Sequence, residues 1–521
     1  MRWDVPGKPS AREQKLMQRL RRRQSFYVFL REIRAELFDE AFEAELERAY
    51  ERPGGDKSLP PAMLAMVTLL QAYDQLSDAD AVVEAEFDAR WQLVLGCLGA
   101  KQAPFSQGVL SQFRERMVAH DLDRKLLERT VRLAKETGKF GWQRVKYILD
   151  SSPLLGAGRV EDTWNLIGRA LSTVVDCAAK CLGVPRQRVL DDARLTLLSG
   201  PSLKTALDID WDDEGQKRSA LQRLLGEVES LQAWVAQHAS EEARKPPLQT
   251  ALAALQRVLA QDLEPDPGGG GLVIRRGVAK DRMPSLGDKE MRHGRKSKSK
   301  RFNGFKRHIV TAGSLILGAI VLPANQPEHE AAGPLLDEAE QHGAADGVLI
   351  DRGYLASPRV MQLRCEGKQV LCKPWPSRNH GLFTKEDFGI NLNAGELTCP
   401  AGAKANISEA LLARFDAANC ATCGLRASCT PAKLGRGRSV TIHPQEEFLI
   451  ELRKLRQTSE GRAQLRERVQ VEHKLARLGS IQGDRSRYKG ARKNTLDARR
   501  CAAVANLQDI ARITVEERRA A

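Results

Sequence analysis

The segment GVLIDRGYLA, residues 347–356, decides how the chain is expected to fold. Three apolar residues, Val348 to Ile350, lead directly into Asp351. A short apolar run followed by turn residues is typical of a buried strand. Open α/β sheets bind ligands beyond the carboxyl ends of their strands, which is the position that Asp351 would take. The segment therefore predicts a strand that carries a carboxylate to a functional site.

An earlier strand has the same ending. RVKYILD, residues 144–150, is predicted as a strand that ends at Asp150. After a long helical excursion come two strands joined near Gly313, then helix, strand, helix and strand. Without the excursion this is the order of an RNase H-like mixed sheet. The first and fourth strands of that sheet are neighbours, so Asp150 and Asp351 are expected to lie side by side.

Composition favours a polyanionic partner. The 521 residues include 82 Lys and Arg against 67 Asp and Glu, which gives a net charge of +15. A pI near 9.4 favours nucleic acid over most other ligands. Aromatic residues make up only 5% of the chain, which disfavours recognition by base stacking. No apolar run is long enough for a membrane span and no signal peptide is present, so a cytoplasmic protein without membrane contact is expected.

The fold class expected is α/β, with an RNase H-like mixed sheet, an all-α N-terminal domain, a helical insertion and a small cysteine-bearing, zinc-ribbon-like insertion. Ser77 and Ser106 are predicted N-caps in the N-terminal domain, where two helices form either a helix-turn-helix or part of a plain bundle. Seven segments are predicted: a helical DNA-binding domain (1–140), the first part of the catalytic domain (141–154), the helical insertion (155–290), the central catalytic part (291–374), the cysteine-bearing insertion (375–438), the region of the catalytic C-terminal helix (439–480) and a basic C-terminal segment (481–521).

Two adjacent carboxylates predict a metal site. Asp150 and Asp351 would repel each other unless a cation lay between them. Mg²⁺ prefers carboxylate, water and phosphate oxygens. Two such ions stabilise both the attacking and the leaving oxygen of a phosphoryl transfer. A third carboxylate is expected from a helix near the end of the domain.

The helix predicted over residues 464–478 supplies a candidate for that third carboxylate. Glu472 lies in QLRERVQVEHKLARL, whose apolar face is predicted from Val469, Leu475 and Leu478. Arg468 is four residues before Glu472, so the two side chains project from one side of a helix. The alternative is an ordinary surface salt bridge, and Glu467 and Glu451 are available as other carboxylates. Spacing alone does not choose among them.

The sequence resembles the DDE transposases of bacterial insertion sequences over roughly residues 55–510. The likeness lies in ILDSSPLLGAGRVEDTW, in MRHGRKSKSKRFNGFKRHIVT with LILGAIVLPANQPEHEAAGPLL, in VLIDRGY, and in RERVQVEHKLARLGSIQGDRSRYKGARKN with AAVANL. Residues 58–117 are similar to the N-terminal helical domain of the same transposases. Each motif alone is weak, and their order along the chain makes the match.

The resemblance implies a function and its residues. The catalytic and metal-binding triad would be Asp150, Asp351 and Glu472, holding Mg²⁺ or Mn²⁺. Water and then a 3′-hydroxyl would attack a phosphodiester of double-stranded DNA, first at the terminal repeats of the element and then in the target. A homodimer is expected because two DNA ends are handled, and a bacterial protein would be nucleoid-associated when bound.

One signature of the family is incomplete. Arg468 matches the arginine of a tyrosine–arginine–glutamate–lysine pattern found in many relatives. Leu465 stands at the tyrosine position and Gly479 at the lysine position. Contacts to the terminal phosphate are therefore expected from Lys474 or from the basic residues 485–493.

Two basic runs are predicted to contact the DNA backbone. Residues 292–308 and 485–493 are rich in Lys and Arg, and the alternative for each is a solvated loop. Lys306 and His308 share one face of a strand and point either to phosphates or to solvent. Asn325 and Tyr354 are weaker candidates, read alternatively as a turn residue and a packing residue. The predicted contacts are Arg468, Lys306, His308, Arg295, Lys296, Lys298, Lys300, Arg301, Arg485, Arg487 and Lys489.

Four of the ten cysteines are clustered. Cys420 and Cys423 have the spacing of a zinc knuckle, and Cys399 and Cys429 complete a four-thiolate set for structural Zn²⁺. A cytosolic redox pair and plain buried thiols are the alternatives. The other six cysteines are scattered.

Three rival functions remain beside a cut-and-paste transposase. A metal-dependent nuclease would use the same carboxylates without joining DNA ends. An inactive transposase remnant would only bind DNA, although all three proposed carboxylates are present. A zinc-bearing structural or regulatory protein has no support outside residues 399–429.

Overall fold

The computed structural model describes residue 3 and residues 7–50, 59–140, 145–200, 202–297 and 299–520, with side chains as far as residue 514. The chain forms two compact units. The first comprises Met1–Gln143, Asp150–Ala344 and Val471–Ala521, and the second comprises Arg144–Leu149 and Ala345–Gln470. The division into seven segments remains a prediction. The second unit ends at Gln470, which lies inside the predicted segment 439–480. None of the described helices has the combination of length and apolar character that a membrane span requires.

The N-terminal part of the first unit is helical, as predicted. Ser77 and Ser106 are N-caps, and their side chains accept hydrogen bonds from the backbone N–H groups of Asp80 and Val109. The helix that begins at Pro61 is buried along most of its length, which makes it the central helix of this region. The helices are α1 (Ala11–Leu20), α2 (Ser25–Leu37), α3 (Glu40–Arg48), α4 (Pro61–Asp74), α5 (Asp78–Phe87), α6 (Ala89–Leu95), α7 (Gln107–Ala119) and α8 (Leu122–Glu136).

A helical excursion follows the first strand, β1 (Lys146–Leu155). It has a hydrophobic core of its own, which runs from Trp164 to Met283. Apolar residues at helical spacing supply this core, for example Leu171, Val174 and Val175. Its elements are α9 (Thr163–Leu182), α10 (Arg186–Asp192), α11 (Leu203–Leu207), α12 (Glu214–His238), α13 (Leu248–Asp262), β2 (Leu263–Pro265) and β3 (Leu272–Ile274).

The first unit contains the antiparallel part of the main sheet. β5 (Arg301–Ala312) pairs with β4 (Arg292–Arg295) near its start and with β6 (Leu315–Pro323) over the rest. The hairpin predicted near Gly313 is therefore confirmed. β5 also lies next to β1. A Cβ at Gly304 would lie 2.3 Å from the carbonyl oxygen of Leu154, so only glycine allows this close approach of the two strands.

The second unit contains the parallel part. β1 pairs with β7 (Gly347–Ile350), which pairs with β8 (Gln369–Cys372). The strands thus form a mixed sheet in the order β4-β5-β1-β7-β8, with β6 beside β5. The predicted neighbourhood of the first and fourth strands is confirmed. The predicted end of the first strand at Asp150 is wrong, since β1 continues through Ser-Ser-Pro to Leu155.

Helices and a small cysteine-bearing region follow these strands. α14 (His329–Glu340) connects β6 to β7, and α15 (Pro358–Cys365) connects β7 to β8. The cysteine-bearing region packs around its own apolar cluster, which includes Phe388, Leu397 and Phe415. Its elements are β9 (Gly389–Asn391), β10 (Glu396–Thr398), β11 (Lys404–Asn406), β12 (Leu412–Arg414), α16 (Ala417–Ala421), α17 (Arg426–Cys429) and β13 (Ser439–Thr441).

The predicted helix over residues 464–478 is two helices. After α18 (Glu446–Gln457), α19 (Ser459–Arg466) ends two residues before α20 (Val469–Gln482) begins. Arg468 therefore precedes the helix that carries Glu472. The predicted apolar face is also shifted, since Val469 is 47% exposed and Val471 is buried with Leu475 and Leu478.

The last helix, α21 (Ala491–Ala520), is buried on all sides between residues 494 and 507. It packs against α4, α8 and β6 in the first unit. Arg499 is buried in this contact. Its Nη1 lies 2.7 Å from Asp121 Oδ1 and 3.0 Å from Asp123 Oδ2, and its Nη2 pairs with Glu338. These ion pairs join the C-terminal helix to α8 and α14.

Replacing Arg499 by Met should destabilise the first unit by roughly 3–5 kcal/mol, because Glu338 would stay buried without its cation and Asp123 would keep only Arg492. Equilibrium unfolding in guanidinium chloride, followed by circular dichroism, measures this change. Arg512→Met is the matched control, since Arg512 is exposed and should change stability by less than about 0.5 kcal/mol. Equal unfolding midpoints for the two variants would contradict the assigned role of Arg499.

Candidate active site

Asp150 lies in the middle of β1 and is 7% exposed. Its Oδ1 accepts a hydrogen bond of 2.8 Å from the backbone N–H of Ser151. The Ser151 hydroxyl donates to Glu328 Oε1 at 2.8 Å, and Lys306 Nζ lies 3.7 Å from the same oxygen. The residue after Asp150, Ser151, is therefore in contact with a second carboxylate, Glu328, which is paired with Lys306 within the first unit.

Glu328 is the residue of this group that sequence reasoning missed. The available signal was weak: Glu328 lies five residues after the end of β6, in a loop that also carries Asn325. Its proximity to Ser151 depends on the pairing of strands that are far apart in the chain. Only the folded sheet shows that contact.

Asp351 directly follows β7 in the second unit and is partly exposed. Its Oδ1 accepts a hydrogen bond of 2.8 Å from the backbone N–H of Arg352, and Arg468 Nη1 lies 3.6 Å from the same oxygen. Cys372, at the end of β8, is buried. Burial, reinforced by the charge of Asp351, raises the pKa of Cys372 to about 12. The thiol is therefore protonated at neutral pH and is not a nucleophile.

The register of β1 and β7 relates the two aspartates. Leu149 pairs with Ile350 in the parallel ladder. Asp150 is the next residue of β1, and Asp351 directly follows β7. The last pair of the β1–β7 ladder, Leu149 and Ile350, is thus followed by an aspartate on each chain segment.

Glu472 is exposed on α20, on the side away from buried Val471 and Leu475. The two other candidate carboxylates are in ion pairs of the second unit. Glu467 lies 3.3 Å from Lys146, and Glu451 lies 3.1 Å from Arg364. Within the described residues, no three His, Cys, Asp or Glu side chains are grouped so that they could hold a metal ion.

Two protein-family comparisons match the chain. Residues 278–507 match the family described as Transposase DDE domain, and residues 13–116 match the one described as Transposase domain (DUF772). The chain belongs to the DDE transposases of insertion sequences. It is therefore an enzyme of the polynucleotidyl transferase and endonuclease type. The DDE match includes Asp351 and Glu472 and begins after Asp150. Searches of curated proteins and of solved structures gave no match.

The first basic run of the transposase is a hairpin rather than a loop. Arg295 pairs with Arg301 at the ends of β4 and β5, and Lys296 N–H donates to Lys300 O at 2.9 Å across the tip. These four side chains are exposed. Lys298 lies outside the described residues. The exposed tip presents a concentrated positive charge to solvent.

The prediction that His308 contacts DNA is wrong. His308 is 0% exposed in β5, and burial lowers its pKa to about 3, so it is neutral and enclosed. Lys306 is partly exposed beside Glu328. Asn325 donates to Asp281 Oδ1 at 2.9 Å, and Tyr354 is fully buried. Asn325 thus lies in a turn and Tyr354 packs in the interior, which are the structural roles given as alternatives to DNA contact.

In the second basic run, residues 485–493, some cations are exposed and some donate to backbone carbonyls. Arg485 is exposed and donates to the carbonyl of Gly156 at 3.2 Å, and Lys489 is exposed. Arg487 donates to the carbonyl of Leu76. Lys474, the other candidate for a terminal phosphate contact, is paired with Asp509. Arg485, Lys489 and Lys493 are thus the exposed cations of this run.

The four clustered cysteines line one cavity of about 460 Å³ in the second unit. Cys399, Cys420 and Cys429 also pack against the apolar cluster of this region. Arg426 and Arg438 are in the same cavity wall. The four thiols therefore share one cavity, although within the described residues no three of them form a group that could hold a metal ion.

Neutralising the hairpin tip should reduce the salt dependence of DNA binding. A plot of log K for DNA binding against log salt has a negative slope. Lys296→Gln and Lys300→Gln should each make this slope shallower by about 0.9, because each variant would lose the contact of one lysine with one phosphate. Fluorescence anisotropy with a labelled duplex at several salt concentrations measures the slope. Lys245→Gln, which removes an exposed lysine outside both basic runs, is the control and should leave the slope unchanged. A slope unaffected by both tip variants would remove the hairpin from the DNA interface.

Proposed function

We propose that Asp150, Asp351 and Glu472 are the catalytic triad of this transposase and together hold Mg²⁺ or Mn²⁺. One observation carries the proposal: Leu149 and Ile350 are paired, and an aspartate directly follows each of them in the sequence. Two carboxylates in adjacent strands favour a cation between them. The donor set suits Mg²⁺, which binds hard oxygen ligands. Glu472 is assigned by its position after Arg468 in the family pattern.

The reaction proposed is hydrolysis of a phosphodiester at each end of the element, followed by attack of the freed 3′-hydroxyl on target DNA. A bound divalent metal supplies stabilisation of the charge on the attacking and leaving oxygens. Ser151 and Arg352 hold Asp150 and Asp351 through their backbone N–H groups. The guanidinium of Arg468 is 3.6 Å from Asp351 and also has the donor geometry for a DNA phosphate.

Double-stranded DNA, as element ends and as target, is the proposed partner. A homodimer is proposed because one reaction handles two ends. The reaction belongs where the DNA is, which is the cytoplasm if the source is bacterial. The proposed backbone contacts are Arg295, Lys296, Lys298, Lys300, Arg301, Lys306, Arg468, Arg485, Arg487 and Lys489.

We also propose that Cys399, Cys420, Cys423 and Cys429 hold a structural Zn²⁺. Thiolates are the preferred ligands of structural zinc, and the four thiols share one cavity. Zinc content per chain, measured by mass spectrometry of the metal, should be about one for the wild type and for Cys365→Ser, an exposed cysteine elsewhere. Cys420→Ser should lose the metal. A wild type without zinc after purification under reducing conditions would leave the thiols as a redox pair or as buried thiols.

Asp150→Asn, Asp351→Asn and Glu472→Gln should each abolish cleavage of a labelled duplex that carries the element's own ends. The loss of cleavage activity should exceed roughly 100-fold. Substituting a residue that only hydrogen-bonds a metal ligand costs up to about 100-fold, whereas each of these variants would remove a metal ligand itself. Asp346→Asn is the matched control. Asp346 is an exposed carboxylate at the opposite end of β7, and its variant should cut at the wild-type rate.

Joining must be measured in the same assay. Transfer of the labelled 3′ end into target DNA by the wild type supports a complete transposase, whereas cutting without joining identifies a nuclease. Binding without cutting by every protein identifies an inactive remnant. Equal cutting by Asp351→Asn and the wild type would show that the carboxylate assignment is wrong.

A further inference from the structure

A second polar cavity lies in the first unit, where the end of α4 meets α20 and α21. Its volume is about 340 Å³. Its charged lining residues are Arg487, Arg500 and Asp497, so positive charge exceeds negative charge. None of these residues belongs to the proposed triad. The cavity is therefore separate from the proposed catalytic site.

Arg500 provides an unsatisfied donor in the wall of this cavity. The residue is 2% exposed. Its Nε and Nη2 are 2.8 Å and 2.6 Å from Asp497 Oδ1. Its Nη1 is buried and has no hydrogen-bond partner among the described residues. A buried charged donor without an acceptor is costly, so an acceptor atom of a ligand is expected there.

Gln71 provides an unsatisfied acceptor in the same wall. Its amide nitrogen donates to Ser77 O at 3.3 Å and to Asp78 Oδ1 at 3.0 Å, which fixes the orientation of the amide. Its Oε1 is buried and has no partner among the described residues. A ligand that satisfies the cavity must therefore offer both an anionic acceptor and a donor.

We propose that this cavity binds a phosphate monoester or hydrogen phosphate. Such a group has P–O⁻ oxygens for Arg500 and a P–OH donor for Gln71 when singly protonated. A phosphodiester has no P–OH group, so an internal DNA phosphate fits less well. The negative charge of Asp497 is already engaged, because Gln482 donates to its Oδ2 at 3.1 Å and Arg500 pairs with Oδ1. Arg487 adds a second guanidinium at the cavity.

Two sources carry this chemistry: the 5′-phosphate of a DNA end and free phosphate. Binding of a DNA 5′-phosphate rests on the proposed transposase function, whereas binding of free phosphate does not. Both are tested by binding alone, without metal and without cleavage. Failure of this proposal is therefore distinguishable from failure of the catalytic triad.

The first experiment is calorimetric titration of the full chain with inorganic phosphate near pH 7. Saturable binding of one phosphate per chain is expected. Gln75→Glu adds a carboxylate at the rim, and Ala72→Leu fills part of the cavity. Each should weaken binding at least about tenfold. Sulfate, which lacks a protonated oxygen at this pH, should bind roughly tenfold more weakly than phosphate.

Two control variants guard against trivial explanations. Gln75→Ala removes the hydrogen bond of Gln75 to Ser480 O without adding charge, and should keep phosphate binding. Gln249→Glu adds the same charge at an exposed position of α13 and should also bind phosphate normally. The proposal would be overturned if the wild type showed no saturable binding, or if Gln75→Glu and Ala72→Leu both bound phosphate as tightly as the wild type does.

The second experiment identifies the source of the phosphate. Wild type and Gln75→Glu are compared for affinity to one duplex with a 5′-phosphate and to the same duplex with a 5′-hydroxyl. A preference for the phosphate that Gln75→Glu loses supports the DNA end as the ligand. Equal affinity for both duplexes, with inorganic phosphate still bound, supports free phosphate.

Discussion

The parallel hydrogen bonding of β1 with β7 is the constraint on which the proposed catalytic site depends. Four residues of each strand are paired, from Lys146 with Gly347 to Leu149 with Ile350. A shift of this register by one residue would turn one aspartate to the opposite face of the sheet. The places of Asp150 and Asp351 in their strands, and with them the proposed triad, therefore depend on this backbone pairing and on the apolar side chains that bury these strands. β1 then continues to Leu155 beside β5, which brings Ser151 to Glu328 and Lys306.

Charge has two separate uses in this transposase. The exposed excess of Lys and Arg, such as the tip of the β4–β5 hairpin, suits a polyanionic substrate. Other arginines are structural, because Arg499 is buried among Asp121, Asp123 and Glu338. Arg500 is also buried, but only two of its nitrogens pair with Asp497, and its Nη1 has no hydrogen-bond partner among the described residues. A net charge of +15 therefore does not measure how many cations can reach DNA.

Local patterns predicted much of the fold. The apolar runs before Asp150 and Asp351, the turn at Gly313 and the caps Ser77 and Ser106 all carry short-range signals. The errors have long-range causes. Ser-Ser-Pro after Asp150 has turn propensity, yet pairing with β5 keeps the strand extended. His308 follows Lys306 and Arg307 in a polar run, and the sheet nevertheless buries it. Glu328 gave only a weak signal, because its contact with Ser151 exists only in the folded sheet.

The measurement that tests the central claim most directly is Mn²⁺ binding, followed by electron paramagnetic resonance, in the complex of the full chain with the element's terminal duplex. Single substitutions of Asp150, Asp351 and Glu472 are compared with Asp346→Asn. If the three carboxylates share one metal site, each triad variant should lose saturable Mn²⁺ binding, and Asp346→Asn should keep it. Undiminished Mn²⁺ binding in the Asp150 and Asp351 variants would contradict the claim that these strands carry the metal ligands.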